Sequence, residues 1–283
     1  NISIAIGDRD FAAMKLATTF GSLDSTFVAA LGGAILDMNG NKLTEVPISK
    51  AVGATNGVVA DKTQPSLDKF ALDLDSGTFA LKFDEPVTRS SLDVTKCALA
   101  ALDTEDAERV VFTNTHVFLE ADDIDAVRAR RLLMLDFEPV TDAMGSEVLY
   151  VKLSQTDLNA LKLAETLAVD TSSSRWLSED AWCADSVTAN PSPPVIYQSS
   201  TNFSTDVTAP LLTGGIVDLD AALFTLQADE PVRGVSANAS FFRISSRADG
   251  TGHFVDVDAD TVLSPATKDA TALIRQSSVE PLI

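Results

Sequence analysis

The phrase FALDLDSGTFALKFDEPV at positions 70–87 returns as GIVDLDAALFTLQADEPV at positions 215–232, an interval of 145 residues. Self-similarity at a long fixed period constrains a chain more than any local pattern, because each copy must be one folding unit that its neighbours repeat. The linker Asp61-Lys-Thr-Gln-Pro65 returns at the same interval as Asp206-Val-Thr-Ala-Pro210, and Asp73, Asp75, Phe79 and Glu85 map onto Asp218, Asp220, Phe224 and Glu230. A second match, at an interval of 147, sets residues 2–20 against 149–167, with Asp10 on Asp157 and Phe11, Met14, Ala17 and Phe20 on Leu158, Leu161, Ala164 and Leu167. Residues 1–60 therefore read as the C-terminal half of one repeat, 61–205 as a complete repeat and 206–283 as the N-terminal half of a third. The two partial pieces are complementary. Either the chain is a window onto a longer tandem array, or its ends complete each other head to tail between copies; the array is preferred, because exchange of elements between chains is the rarer device.

Within a repeat, Phe70, Leu72 and Leu74 alternate with Ala71 and Asp73, and Phe79, Leu81 and Phe83 alternate with Ala80 and Lys82. Period-two alternation on both sides of a polar Asp-Ser-Gly predicts two strands and a turn, with Gly77 supplying backbone freedom and Pro86 ending the second strand. Further strands are expected over 96–102, 110–119, 131–137, 148–153, 175–184 and 195–199. One helix interrupts them: Ser154-Gln-Thr-Asp157 has the form of a capping box, and Leu158, Leu161, Ala164 and Leu167 follow as one apolar stripe. Short strands with turn signals between them predict an all-β fold of tandem immunoglobulin-like β-sandwiches, each with one inserted short helix and longer than the ordinary ~100-residue module.

The 283-residue chain carries 41 Asp and Glu against 21 Lys and Arg, a formal charge of -20. Such a surface repels phosphate backbones and anionic lipid, which sets nucleic acid aside as a partner. The apolar run at 27–36 is far short of the roughly 18 residues a membrane helix needs, so no span is expected in this segment. Asn1 begins no signal-peptide pattern, so the chain reads as a processed product or an excerpt. No nucleophile elbow or phosphate-cradling loop is present, and His116 and His253 are isolated, so no enzymatic activity is expected.

The linker Asp-x-Thr-x-Pro, the strand GTFALKFDEPV and the strand AILDMNGNKL at 34–43 together resemble bacterial-type immunoglobulin-like repeats, as found in S-layer proteins, large adhesins and giant surface or appendage proteins of bacteria, algae and protists. These motifs mark a fold and carry no catalytic residue. The chain departs from the pattern at CADSVTANPS (183–192), which lacks the glycine, and at Ala221–Ala222, where glycine is usual. The resemblance implies an extracellular or cell-surface location and a structural or adhesive role. In the structural reading, neighbouring repeats or further copies of the chain are the partners in a filament or surface array. In the alternative, loops or the pair Trp176 and Trp182 hold a glycan or a partner protein.

In immunoglobulin order, the turn after Glu85, the turn at Asp37 (Asp185 in the next repeat) and the linker acid Asp61 (Asp206) lie at one end of a sandwich, with Asp75 (Asp220) at the other. Asp61, Asp75, Glu85, Asp185, Asp206, Asp220 and Glu230 are thus candidate oxygen ligands for calcium at the junctions, or else solvated turn acids that cap local N–H groups. In the same order Cys97 and Cys183 lie on neighbouring strands, so they form either a disulfide or two buried thiols. Sequons at Asn1, Asn202 and Asn238 are candidate glycosylation sites. The two Trp share a face of one extended strand, as a sugar platform or as core, and Arg128, Arg130 and Arg131 read as a solvated strand entry.

Overall fold

The computed structural model describes residues 2–17, 24–54, 57–113, 116–119, 145–186, 188–233, 238–257, 262–263 and 271–275. The expected strand over 131–137, the basic group at 128–131 and the sequon at Asn1 lie outside them. The described chain is mostly β-strand. It opens with α1 (Asp8–Leu16) and the short strands β1 (Phe27–Val28) and β2 (Val52–Gly53). Next come β3 (Leu67–Asp73), β4 (Thr78–Thr88), β5 (Cys97–Ala100), β6 (Arg109–Val111), β7 (His116–Phe118) and β8 (Gly145–Leu153). Helix α2 (Gln155–Leu163) precedes β9 (Arg175–Ser178), β10 (Val195–Ser199) and β11 (Asn202–Ser204). The last stretch holds β12 (Leu212–Asp218), β13 (Leu223–Ala228), β14 (Arg243–Ser245), β15 (Phe254–Asp256), β16 (Val262–Leu263) and β17 (Thr271–Arg275). The chain forms two compact units, one of residues 1–158 and 166–206, the other of 159–165 and 207–283.

In the first unit one sheet runs β11-β3-β4-β8-β7 and a second runs β10-β9-β5-β6. The alternating apolar residues explain why they face each other. Phe70 and Phe79 project from the first sheet onto Trp176 of the second, with ring centroids 5.7 and 5.2 Å away. Phe112 and Trp182 close on the same indole at 5.7 Å each, and Phe83 stacks on Trp182 at 5.5 Å. Both Trp are buried, so they build the core and form no sugar platform. On the opposite face of the first sheet Ala71, Ala80, Val148 and Tyr150 form a second buried cluster with Leu119.

Three boundaries differ from expectation for identifiable reasons. Strand β4 continues through Pro86 to Thr88, because its pairing with β8 shifts register between Lys82 and Val87 and asks no ladder N–H of the proline. The strand expected over 110–119 is two strands in different sheets, β6 beside β5 and β7 beside β8. The strand expected over 175–184 stops at Ser178, and Ala181 turns into the left-handed region at φ 55°. Helix α2 starts as the capping box predicts, Ser154 Oγ accepting from Asp157 N–H at 3.0 Å. The Asp157 carboxylate does not close the box; it accepts from the Thr113 N–H and hydroxyl at 3.0 Å each and ties the helix to the β6–β7 connection.

Three local bonds of the first unit recur in the second. Asp84 Oδ1 accepts from Ser66 N–H at 2.8 Å, and Asp229 Oδ1 accepts from Leu211 N–H at 2.8 Å. Asp93 caps the 3-10 turn Val94–Lys96 by accepting from Thr95 N–H, as Asn238 caps Ala239–Phe241 through Ser240 N–H, 3.1 Å in both. Asp73 accepts from Asp75 N–H at 3.1 Å, and Asp218 from Asp220 N–H at 3.0 Å, so the first Asp of each Asp-Leu-Asp holds the turn between two strands.

The two departures in turn chemistry occupy equivalent left-handed positions. Gly77 has φ 67° where its counterpart Ala222 has φ 48°, and Gly40 has φ 84° where its counterpart Ala189 has φ 56°. An L-residue pays about 1–2 kcal/mol there and glycine does not, so Ala222→Gly and Ala189→Gly are each expected to raise stability by about 0.5–1 kcal/mol after the cost of glycine's greater unfolded freedom. Urea midpoints at unchanged slope check this; a lowered midpoint in both variants contradicts it. Gly77→Ala moves the other way, since its Cβ would also lie 3.0 Å from Leu158 Cδ2.

Candidate functional site

Helical spacing puts Phe11 and Lys15, four apart in α1, on one face, and the Lys15 Nζ lies 4.8 Å from the Phe11 ring centroid. The lysine is buried, and its ammonium reaches two acids. Asp61 Oδ2 of the linker lies 2.7 Å away, and Glu85 Oε2 of β4 accepts a hydrogen bond from Nζ. Glu85 is itself buried, and its Oε1 has no hydrogen-bond partner among the described residues. Asp61 Oδ1 accepts from Thr63 N–H at 3.0 Å. Asn190 Nδ2 donates to the Asp61 and Thr63 carbonyls at 3.2 and 3.1 Å, so the loop after Cys183 is fastened to the linker beside the ion pair.

The charges of the three groups follow from this packing. Burial by itself lowers the Lys15 pKa, but the hydrogen bonds and charges of Asp61 and Glu85 outweigh it and hold the ammonium above its ordinary 10.5. Burial by itself raises Asp61, and Lys15 more than reverses it, leaving that carboxyl below the usual range. At Glu85 burial prevails over Lys15 and the carboxyl is raised. On acidification Glu85 therefore takes up a proton before Asp61 does.

The sign of the pH dependence is opposite for the two shifted partners. Stability from Asp61 is present above the ordinary carboxylate pKa and is lost as pH falls through its depressed value, whereas stability from Lys15 is present below 10.5 and is lost as pH rises through its raised value. Glu85, being raised, opposes the fold in its ionised form. The stability difference between the native chain and Lys15→Met is accordingly expected to be widest from neutral pH to about 10 and to narrow at both extremes. Urea unfolding of both proteins across pH checks this; a difference that grows toward pH 3 contradicts it.

The same latch recurs one repeat later. Lys162, at the α2 position that matches Lys15, donates to Glu230 Oε2, the counterpart of Glu85, and both side chains are largely buried. The residues missed in the sequence are thus Lys15 and Lys162. Their signal was present: the interval that aligns the two helices also aligns the two lysines, on the edge of an otherwise apolar stripe.

The expected calcium ligands are arranged as follows. Asp61 and Glu85 converge, and the cation against them is the Lys15 ammonium. Asp185 is buried, and its carboxylate is taken up by its own loop: Oδ1 accepts from the Thr188 and Ala189 N–H at 2.7 and 3.0 Å, Oδ2 from the Thr188 hydroxyl at 2.9 Å. Asp37 does the same in the first repeat, accepting from the Asn39 and Asn41 N–H at 2.8 Å each. Asp75 and Asp220 sit in the equivalent strand turns, Asp206 follows β11, and Glu230 faces Lys162. Among the described residues no three His, Cys, Asp or Glu side chains group so as to hold a metal ion.

Cys97 and Cys183 are both buried free thiols. Because β9 ends at Ser178, it is Ser178 that stands opposite Cys97 in the ladder, and Cys183 lies beyond the strand. Burial pushes both thiols up, Cys183 to about 12. Of the sequons, Asn202 is half-buried in β11, opposite Ala71, while Asn238 is exposed with its Oδ1 committed to the turn cap. No protein-family model, curated protein or solved structure matches the chain.

Proposed function

We propose that this chain is a stretch of a tandem array of immunoglobulin-like sandwiches that serves as a structural module of an extracellular fibre, surface layer or appendage. One observation carries the reading: the helix lysine of one repeat is paired with the Glu of Asp-Glu-Pro-Val in the next, and this happens twice, at Lys15–Glu85 and at Lys162–Glu230. A buried ion pair is costly to desolvate and strict about geometry, so its recurrence at successive repeat boundaries serves register between repeats more than activity within one. The strand order supports the immunoglobulin-like assignment, since the first, second and fourth long strands (β3, β4, β8) share one sheet while β5 and β9 pair in the other. The latch supplies its own cation, and nothing in the mechanism requires a reactive group. Length then scales with the number of repeats, each burying its own core.

Labelling intact cells of the source organism with an antibody raised against this chain tests the location. Labelling of unpermeabilised cells is expected; signal only after permeabilisation overturns the extracellular role. A glycan array probed with the same chain separates the adhesive alternative, which predicts saturable binding to a defined sugar.

A further inference from the structure

The group around Lys15 has a composition that an ion pair alone does not require. Lys15 and Glu85 are 7 % and 5 % exposed, so an amine and an acid meet almost without water. Asp61 is fixed beside them: its Oδ1 accepts from the Thr63 N–H at 3.0 Å, and its Oδ2 lies 2.7 Å from Nζ. The Asp61 carboxyl carbon, one bond beyond Oδ2, is therefore within reach of Nζ without movement of the backbone. Asn190 Nδ2 holds the linker in that place through the Asp61 and Thr63 carbonyls. One carboxylate would balance the lysine, yet a second is buried against it. Glu85 accepts from Nζ through Oε2, while its Oε1 is buried with no hydrogen-bond partner among the described residues. A buried acid with a spare oxygen beside an amine and a carboxyl is placed to carry protons between them. In the sequence the same three residue types return as Lys162, Asp206 and Glu230, and Lys162 again meets Glu230.

We infer that Lys15 and Asp61 form a self-catalysed cross-linking site, in which Nζ condenses with the Asp61 carboxyl to an amide and Glu85 is the catalytic residue. The ion pair is the state before reaction. Burial disfavours the charge on Lys15 and on Glu85 alike, so passing a proton from the ammonium to Glu85 relieves both. Glu85 hands that proton to Asp61 Oδ2. The amine lone pair then attacks Cγ, the N–C bond forms, and Oδ1 takes the negative charge beside the Thr63 N–H. The nitrogen gives up a second proton, again through Glu85, to Oδ2, whose bond to Cγ breaks as water departs. Two protons from nitrogen and one oxygen from Asp61 leave, Glu85 ends as it began, and no cofactor or outside reagent is consumed. The inference goes beyond the array reading and does not depend on where the protein is located. In an array the amide makes the latch permanent, because a pull along the chain crosses it and bypasses residues 16–60.

Mass spectrometry of the folded full chain, intact and after proteolysis, tests it. The native chain is expected to be lighter than its sequence by one water for this bond, and its digest to contain the segment holding Lys15 joined to the segment holding Asp61. Asp61→Asn condenses with loss of ammonia and ends at the same linked peptide and the same mass. Lys15→Met and Asp61→Ala lack the link. Glu85→Gln keeps the shape, is checked by circular dichroism for an unchanged fold, and forms the link at least about 100-fold more slowly, as loss of a general acid–base group predicts. A folded native chain that keeps its full mass and yields no linked peptide after prolonged incubation overturns the inference. A Glu85→Gln chain that links at the native rate overturns the role given to Glu85. Unchanged mass with surface labelling intact removes the cross-link and leaves the array reading standing.

Discussion

Replacing Lys15 by methionine is expected to lower the unfolding free energy by about 3–5 kcal/mol, the range for removing one partner of a buried ion pair. Methionine keeps the volume and length of the stem, so packing is nearly conserved and the loss is electrostatic. Asp61 and Glu85 are left facing each other without a cation, and Glu85 Oε1 already lacks a partner among the described residues. Protonation of Glu85 limits the damage, because burial already favours its neutral form. Glu85→Gln in the Lys15→Met background is therefore expected to recover part of the loss, and the double-mutant cycle to give a coupling of about 1–3 kcal/mol. Urea unfolding with the slope monitored provides the measurement. A single-variant loss below about 1 kcal/mol would reduce the latch to the strength of a surface salt bridge.

The second large effect is expected at the centre of the core. Trp176→Ala removes the ring on which Phe70, Phe79, Phe112 and Trp182 converge, all with centroids within 5.7 Å. Deleting a buried aromatic costs about 3–5 kcal/mol in transfer and cavity terms, and here the cavity lies between two sheets that meet through this side chain. Trp176→Phe, which installs the residue found at the matching position 27, keeps the ring and is expected to cost about 1–2 kcal/mol. Near-ultraviolet circular dichroism should lose most of its aromatic signal in the alanine variant. An alanine variant as stable as the phenylalanine one would mean that the sheets are held together elsewhere.

The elements written by alternation were legible: β3, β4, β10 and the helix start at Ser154 follow from apolar period, turn residues and cap. What the period could not reveal was where a strand changes sheet. Nothing in the run 110–119 marks the break between β6 and β7, because both pieces are apolar and the division is imposed by which neighbour each pairs with. The convergence of Asp61 and Glu85 was legible from strand order, but the ion between them was not. A lysine on a helix reads as solvated until a partner from another element buries it, and Lys15 is separated from Glu85 by 70 residues. For the cysteines the sequence left a disulfide and two buried thiols both open, and the structure has two buried free thiols. Position 183 aligns with an apolar residue of its sister repeat, yet the early end of β9 takes it out of the ladder that would have set it against Cys97.

The short strand β11 has a further consequence. It pairs in parallel with β3, Asn202 opposite Ala71 through Ser204 opposite Asp73, and its flanks add Thr201 N–H to Phe70 O and Leu74 N–H to Ser204 O, both 2.9 Å. The chain enters the sandwich at the start of β3 and leaves it at the end of β11. Tension applied along the chain therefore pulls the two strands past each other lengthwise, and every hydrogen bond between them is loaded at once. Antiparallel terminal strands under the same load would open one bond at a time, like a zip. Forced unfolding is governed by the rate of crossing the unfolding barrier rather than by equilibrium stability, so a few residues of parallel pairing place the resistance of this repeat to being pulled apart in its first and last strands.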